Sequence, residues 1–202
     1  MKTWLFKPFD RVAGGPVLAA GLLVILLTAL LAWRSGLQTD GVLDLHFQAG
    51  LSLPDLLLQG LINWLTLSVC LLIAGRWLSS TRFRLVDLFG TQALARWPML
   101  LAVIYLSIPA LGGRIESLTL RMLEAMPTEP DKVMASSEYL LDAMWLTLIS
   151  LPLIACLVWM IWLMFHSYAL TCNLRGQRAF FSFVGALLLA EILSKLLINL
   201  TS

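Results

Sequence analysis

Charge is what this sequence has least of. Lysine, arginine, aspartate and glutamate make up only 13% of its 202 residues, while 59% are hydrophobic, and the mean hydropathy is +0.87. About a quarter charged is usual for a soluble domain, so too little polar surface is present to cover a water-soluble fold. Disordered and collagen-like chains are excluded on the same ground. Cysteine is also scarce. Cys70, Cys156 and Cys172 share no C-x-x-C spacing and lie in or beside apolar runs, which excludes a disulfide framework and favours small apolar core positions over metal ligation. A formal net charge of +2 with scattered basic residues excludes a nucleic-acid binder.

Catalytic signatures are missing as well. The chain has no H-E-x-x-H, no G-x-S-x-G elbow, no phosphate-binding lysine loop and no serine–histidine order that reads as a triad. His46 and His166 are too far apart in topology to share a metal. These absences predict a non-enzyme with no cofactor, no metal and no identifiable small-molecule substrate. Internal repeats, low-complexity tracts and linkers are absent too, so residues 16–202 read as one membrane domain behind a short start, residues 1–15.

What the sequence does have is long apolar runs. A run of roughly 20 such residues crosses a bilayer as a helix. Five are expected, at about 17–33, 56–78, 88–111, 144–170 and 179–200, giving an all-α integral membrane bundle of five transmembrane helices. Bulky Trp33 and Arg34 stand where a signal peptide would need small residues, so the first run is read as a retained span. Ser52-Leu53-Pro54-Asp55 has the spacing of a helix-starting capping box. Gly112-Gly113 is expected to end the third span, and Pro152 to kink the fourth. Two amphipathic helices are expected beside the spans. One lies within Met1–Ala13, where Leu5, Phe9 and Val12 share a side among Lys2, Lys7 and Arg11, with Pro8 interrupting it. The other lies in the third-to-fourth loop, where Ile115, Leu118, Met122, Leu123 and Met126 share a face and Pro127 stops the helix. Arg34–Leu51 reads as a polar loop with a turn at Asp40-Gly41.

An odd number of spans puts the two ends on opposite sides, which makes charge a test of the count. With the N-terminus cytoplasmic, the inner segments hold eight Lys and Arg residues and the outer segments four. Acidic residues run the other way, with Asp10 and Asp87 inside and nine acids outside. This asymmetry favours an inner (cytoplasmic) membrane protein, N-terminus in and C-terminus out. Trp4, Trp33, Trp77 and Trp145 fall near span ends, as indoles at an interface do; Trp64, Trp97, Trp159 and Trp162 are expected to pack between helices.

Polar groups at membrane depth carry what functional signal there is, because placing them there costs free energy. Gln59, Asn63, Thr66 and Cys70 recur at helical steps and should face other helices. Glu191 and Lys195 stand four apart, the favourable orientation for a helical ion pair, with Lys195 reaching toward the outer interface. Arg96 enters the third span from the cytoplasmic side, a position from which it can point toward Glu191. His166, beside Ser167 and Tyr168, is an interfacial or packing histidine near the inner end of the fourth span.

In the order of its parts the chain resembles the Yip (Ypt-interacting protein) family in its bacterial form. The parts are Phe6-Lys7-Pro8-Phe9, the entry from Gly90 to Trp97-Pro98, Trp159-Met160-Ile161-Trp162, and the basic turn Asn173–Gly176 leading to Arg178-Ala179-Phe180-Phe181. The resemblance implies a five-helix integral membrane protein without a catalytic site, and it transfers no functional residue. The expected function is a non-enzymatic scaffold or accessory subunit, partnered by the lipid bilayer and by another membrane protein or a second copy. The rival expectation is a small transporter or channel component using Arg96 and Glu191.

Overall fold

In a computed structural model, which describes residues 7–48, 50–125 and 137–201, the protein is all-α apart from one two-residue ladder. Helix α1 spans Gly15–Ser35 and is closed by Gly36 in the left-handed conformation, φ 64°, which an L side chain rarely adopts. Helix α2 spans Leu53–Leu78, and its capping box forms. Ser52 Oγ accepts from the Asp55 amide while the Ser52 amide donates to Asp55 Oδ2. Helices α3 (Leu85–Leu94) and α4 (Trp97–Leu106) are separated at Ala95–Arg96; Pro98, in the first turn of α4, brings no N–H to the ladder. Helix α5 spans Pro109–Ala125, α6 spans Ser137–Thr171 with Pro152 inside it, and α7 spans Gly176–Thr201.

Four of these helices, α1, α2, α6 and α7, are long and apolar enough to cross a membrane. A fifth unit is bent. Leu85–Leu106 and Pro109–Arg121 pass the same test together, but they meet at 85°. The outer surface suits lipid, with Leu23, Leu188 and Ile192 all exposed.

Helix-to-helix contacts pair an apolar core with polar side chains that reach backbone. Leu67, Leu71, Leu88, Met160, Leu163 and Met164 are fully buried together. Gln92 of α3 donates from Nε2 to the Met164 carbonyl (2.9 Å) and to Ser167 Oγ (2.6 Å) of α6. Trp64 of α2 donates to the Phe89 carbonyl at 3.0 Å, and Tyr105 of α4 to the Ile149 carbonyl at 3.0 Å. Trp97 and Trp159 meet edge to face at 4.2 Å.

Several expectations need correction. The third apolar run ends at Ser107-Ile108 instead of Gly112-Gly113, because Pro109 cannot continue the α4 ladder and instead starts α5. Gly112 sits within α5, where an added Cβ would overlap the Leu106 carbonyl. Its missing side chain therefore lets the two helices fold so sharply. The start does not form a helix where it is described: Pro8–Asp10 is a single 3-10 turn, and Phe9 turns into the core. Met1–Phe6, with Trp4 and Leu5, lie outside the described residues. The fourth apolar helix begins at Ser137, well before residue 144. Trp162 is 44% exposed and stacks on His166 of its own helix, so it is less enclosed than the expectation of packing between helices implies. The expected helix in the third-to-fourth loop falls on α5, where Leu118 is buried and Leu123 exposed; Met126 and Pro127 lie outside the described residues.

Candidate functional site

The polar loop after α1 is a hairpin turned into the bundle. Strand β1 (Leu37–Gln38) pairs antiparallel with β2 (His46–Phe47), Leu37 opposite Phe47 and Gln38 opposite His46. Side chains alternate across a strand. Leu37 therefore lies on the apolar face, buried with Ala29, Leu56, Val103 and Leu106. Gln38 and His46 share the other face. Asp40 and Asp44 follow toward the tip, close to His46.

The tip, Gly41–Leu43, reaches deep. The Thr39 carbonyl accepts from Asn63 Nδ2 at 2.9 Å, and the Leu43 amide donates to Glu191 Oε2 at 3.1 Å. At 1.5 Å per residue, Asn63 lies about 15 Å below the start of α2 at Leu53, and Glu191 about 15 Å from the end of α7 at Thr201. Val42 is fully buried there. Irregular backbone at that depth is tolerated only where protein covers it and side chains satisfy its polar groups. Gly41 is glycine for a matching reason. A Cβ would overlap Glu191 Oε1 and stand 2.9 Å from Lys195 Cε.

Charges close around the tip from the α3–α4 break and from α7. Arg96, buried at the α3–α4 break, donates from Nη2 to the Asn63 carbonyl at 2.9 Å. Its Nε and the Asn63 Oδ1 are buried without a protein partner. Both residues line a cavity of about 30 Å³ with Thr28, Thr39, Gly41 and Met99, room for a water or two. On α7 the Lys195 ammonium bonds Asp44 Oδ2 at 2.8 Å and stands 3.5 Å from Glu191 Oε1. That ammonium holds the Asp44 carboxyl below the usual carboxylate range, against the opposing effect of partial burial. Asp40 Oδ1 lies 3.6 Å from His46 Nδ1.

The expected site residues thus divide. Asn63, Arg96, Glu191 and Lys195 gather at the hairpin tip. Arg96 reaches it from the side of Asn63 and feels the Glu191 charge, while Glu191 itself is held by backbone. Gln59, one turn before Asn63 on α2, is buried with its Oε1 unpartnered. His166 is elsewhere: its Nε2 meets Asp10 Oδ1 at 3.1 Å and ties the 3-10 turn to α6. Asp40, Asp44 and Gly41 are the residues that local reading passes over. Their signal is an alternation, Gln38-x-Asp40 and Asp44-x-His46 about an Asp-Gly turn, inside a segment whose polarity suggests only a loop.

No family model matches the chain, and neither a curated protein nor a solved structure matches it.

Proposed function

We propose that this chain is a non-enzymatic integral membrane protein that serves as a scaffold or accessory subunit. It crosses the inner membrane five times, N-terminus in and C-terminus out, and belongs with the Yip-like proteins it resembles. The fifth crossing is supplied by Leu85–Leu106, whose bend into α5 returns the chain along the outer surface. The excess of Lys and Arg on the inner segments supports that orientation.

One observation carries the scaffold reading: the polar centre beside Arg96 is nearly filled, while the flank between α2 and α7 is open. The hairpin tip occupies the polar centre and leaves only about 30 Å³ beside Arg96, which speaks against a substrate path there. On the flank, α2 and α7 border an apolar groove of about 570 Å³ whose walls include Thr66, Cys70, Ala74, Gly185 and Ala186. Small residues on both walls let another membrane helix approach closely. A partner's transmembrane helix is the occupant this shape suits.

Gly185 gives the test. A Cβ there meets nothing within 4 Å, so Gly185→Leu fills the groove without disturbing the chain's own packing. Detergent-solubilised wild type is expected to copurify with a stoichiometric membrane partner or with itself, and Gly185→Leu to lose that association while keeping its thermal transition. A monomeric wild type with no stoichiometric partner would overturn the proposal, as would a leucine variant that retains the partner.

A further inference from the structure

The polar face of the hairpin carries more ligand chemistry than holding the tip requires. Asp40, Asp44 and His46 each offer an atom, and the three atoms lie within 4.8 Å of one another. Their arrangement follows from register. Gln38 stands opposite His46 on one face of the ladder, and Asp40 and Asp44 follow toward the tip, close to His46.

A group of acids alone would say little, but two further observations concern unmet bonding. Gln38 is 7% exposed, and its Oε1 is buried without a hydrogen-bond partner, on the same face as the cluster. Asp40 Oδ1 is likewise buried and unpartnered, and its 3.6 Å separation from His46 Nδ1 is too long for a hydrogen bond. Unpaired acceptors at such sites are costly, and carboxylates close to each other repel. The nearby ammonium of Lys195 is engaged by Asp44 Oδ2 and Glu191. It also attracts Asp40 through space, but among the described residues no cation is in direct contact with Gln38 or Asp40 apart from the His46 ring.

The geometry points to a divalent-cation site formed by Asp40, Asp44 and His46, with Gln38 Oε1 as a fourth oxygen donor. A carboxylate has lone pairs enough for an ammonium and a cation together, so Asp44 keeps Lys195 when the site is filled. The imidazole selects among metals. All-oxygen sets suit Ca²⁺ and Mg²⁺, whereas carboxylates with one imidazole suit Zn²⁺ and neighbouring transition ions at low coordination number. The cation would pin the two strands of the hairpin to each other above the Glu191–Lys195 anchor. This inference does not depend on the scaffold reading.

The experiment uses the full chain in detergent, freed of any histidine tag, titrated with Co²⁺ as a spectroscopic probe and then with Zn²⁺. One equivalent of Co²⁺ is expected to give a visible absorption that Zn²⁺ displaces, while Ca²⁺ and Mg²⁺ at the same concentration do not. His46→Gln and Asp40→Asn should each weaken binding by more than about tenfold, and His166→Gln, at the other end of the bundle, should leave it unchanged. Thermal unfolding of each variant confirms that it is folded. Should a hairpin variant not fold, the wild-type stoichiometry and the retained binding of His166→Gln decide on their own. The assignment is overturned by no saturable Co²⁺ absorption in wild type, by loss in His166→Gln, by unchanged binding in folded His46→Gln and Asp40→Asn, or by displacement with Ca²⁺ or Mg²⁺ as readily as with Zn²⁺.

Discussion

Gly21→Leu is expected to remove more stability than any other single change in α1. Gly21 is buried where α1 crosses the end of α3. A Cβ there would overlap the Ala93 Cβ, and it would stand 2.6 Å from the Leu94 nitrogen and 2.8 Å from the Ala93 carbonyl carbon. Two of these are backbone atoms, which cannot swing aside as a side-chain end can. Alanine at this site gains about 1 kcal/mol of helix propensity but meets an overpacking cost of about 1–3 kcal/mol, so a net loss of about 1 kcal/mol is expected. Leucine adds a whole branch against the same backbone, and a loss of about 3 kcal/mol or more should follow. The check is denaturant or thermal unfolding in mixed micelles. Gly15→Ala serves as the control, since a Cβ at Gly15 meets nothing within 4 Å. A Gly21→Leu protein as stable as wild type would show that α1 and α3 do not touch as described.

Arg96→Ala comes second. The guanidinium is buried, bonds the Asn63 carbonyl at 2.9 Å and feels the Glu191 carboxylate through space, the direct ion pair of Glu191 being with Lys195. Removing one partner of a direct buried ion pair costs about 3–5 kcal/mol, because the other charge is left uncompensated; Arg96 and Glu191 are coupled only through space, so less is lost. Glu191 keeps the Leu43 amide and Lys195 here, and its side chain is 22% exposed. The expected loss is accordingly about 2–3 kcal/mol. A double-mutant cycle with Glu191→Gln separates charge from packing. If the charges interact through the tip, the double variant should be less destabilised than the sum of the singles by about 1 kcal/mol. Strict additivity would show that the two charges do not interact and would leave packing and the Asn63 hydrogen bond as the contribution of Arg96.

The fold was legible where its cause is local. Apolar runs announce helices because burial in lipid needs nothing from distant residues, and α1, α2 and α7 begin and end within a few residues of the expected spans. The capping box at Ser52–Asp55 is local too. Where two local signals compete, the stronger one decides. Gly112-Gly113 looked like a stop, but a glycine pair only weakens a helix, whereas Pro109 removes a donor and clashes with the turn before it.

The site was legible in half. Depth along a span marked Asn63, Arg96, Glu191 and Lys195, because charge at that depth is costly wherever it occurs. What lies against them was hidden. The backbone partner of Glu191 is the Leu43 amide, 148 positions earlier in the chain, and no periodicity encodes that contact. Polarity led Arg34–Leu51 to be read as an ordinary loop, yet a polar hairpin can turn inward when helix side chains meet its backbone groups. Local polarity therefore does not mark Asp40, Asp44 and His46 as a unit.

The number of crossings tests the account most directly, because everything said of depth depends on it. Four long apolar helices alone would return the chain to the side where it began, whereas the proposed fifth crossing, through Leu85–Leu106 and its 85° bend to Pro109–Arg121, would make the count odd. Reporters fused to each end of the full-length chain, one active only in the cytoplasm and one only outside it, read the difference. The account predicts a cytoplasmic N-terminus and an external C-terminus; both ends on one side of the membrane would contradict it.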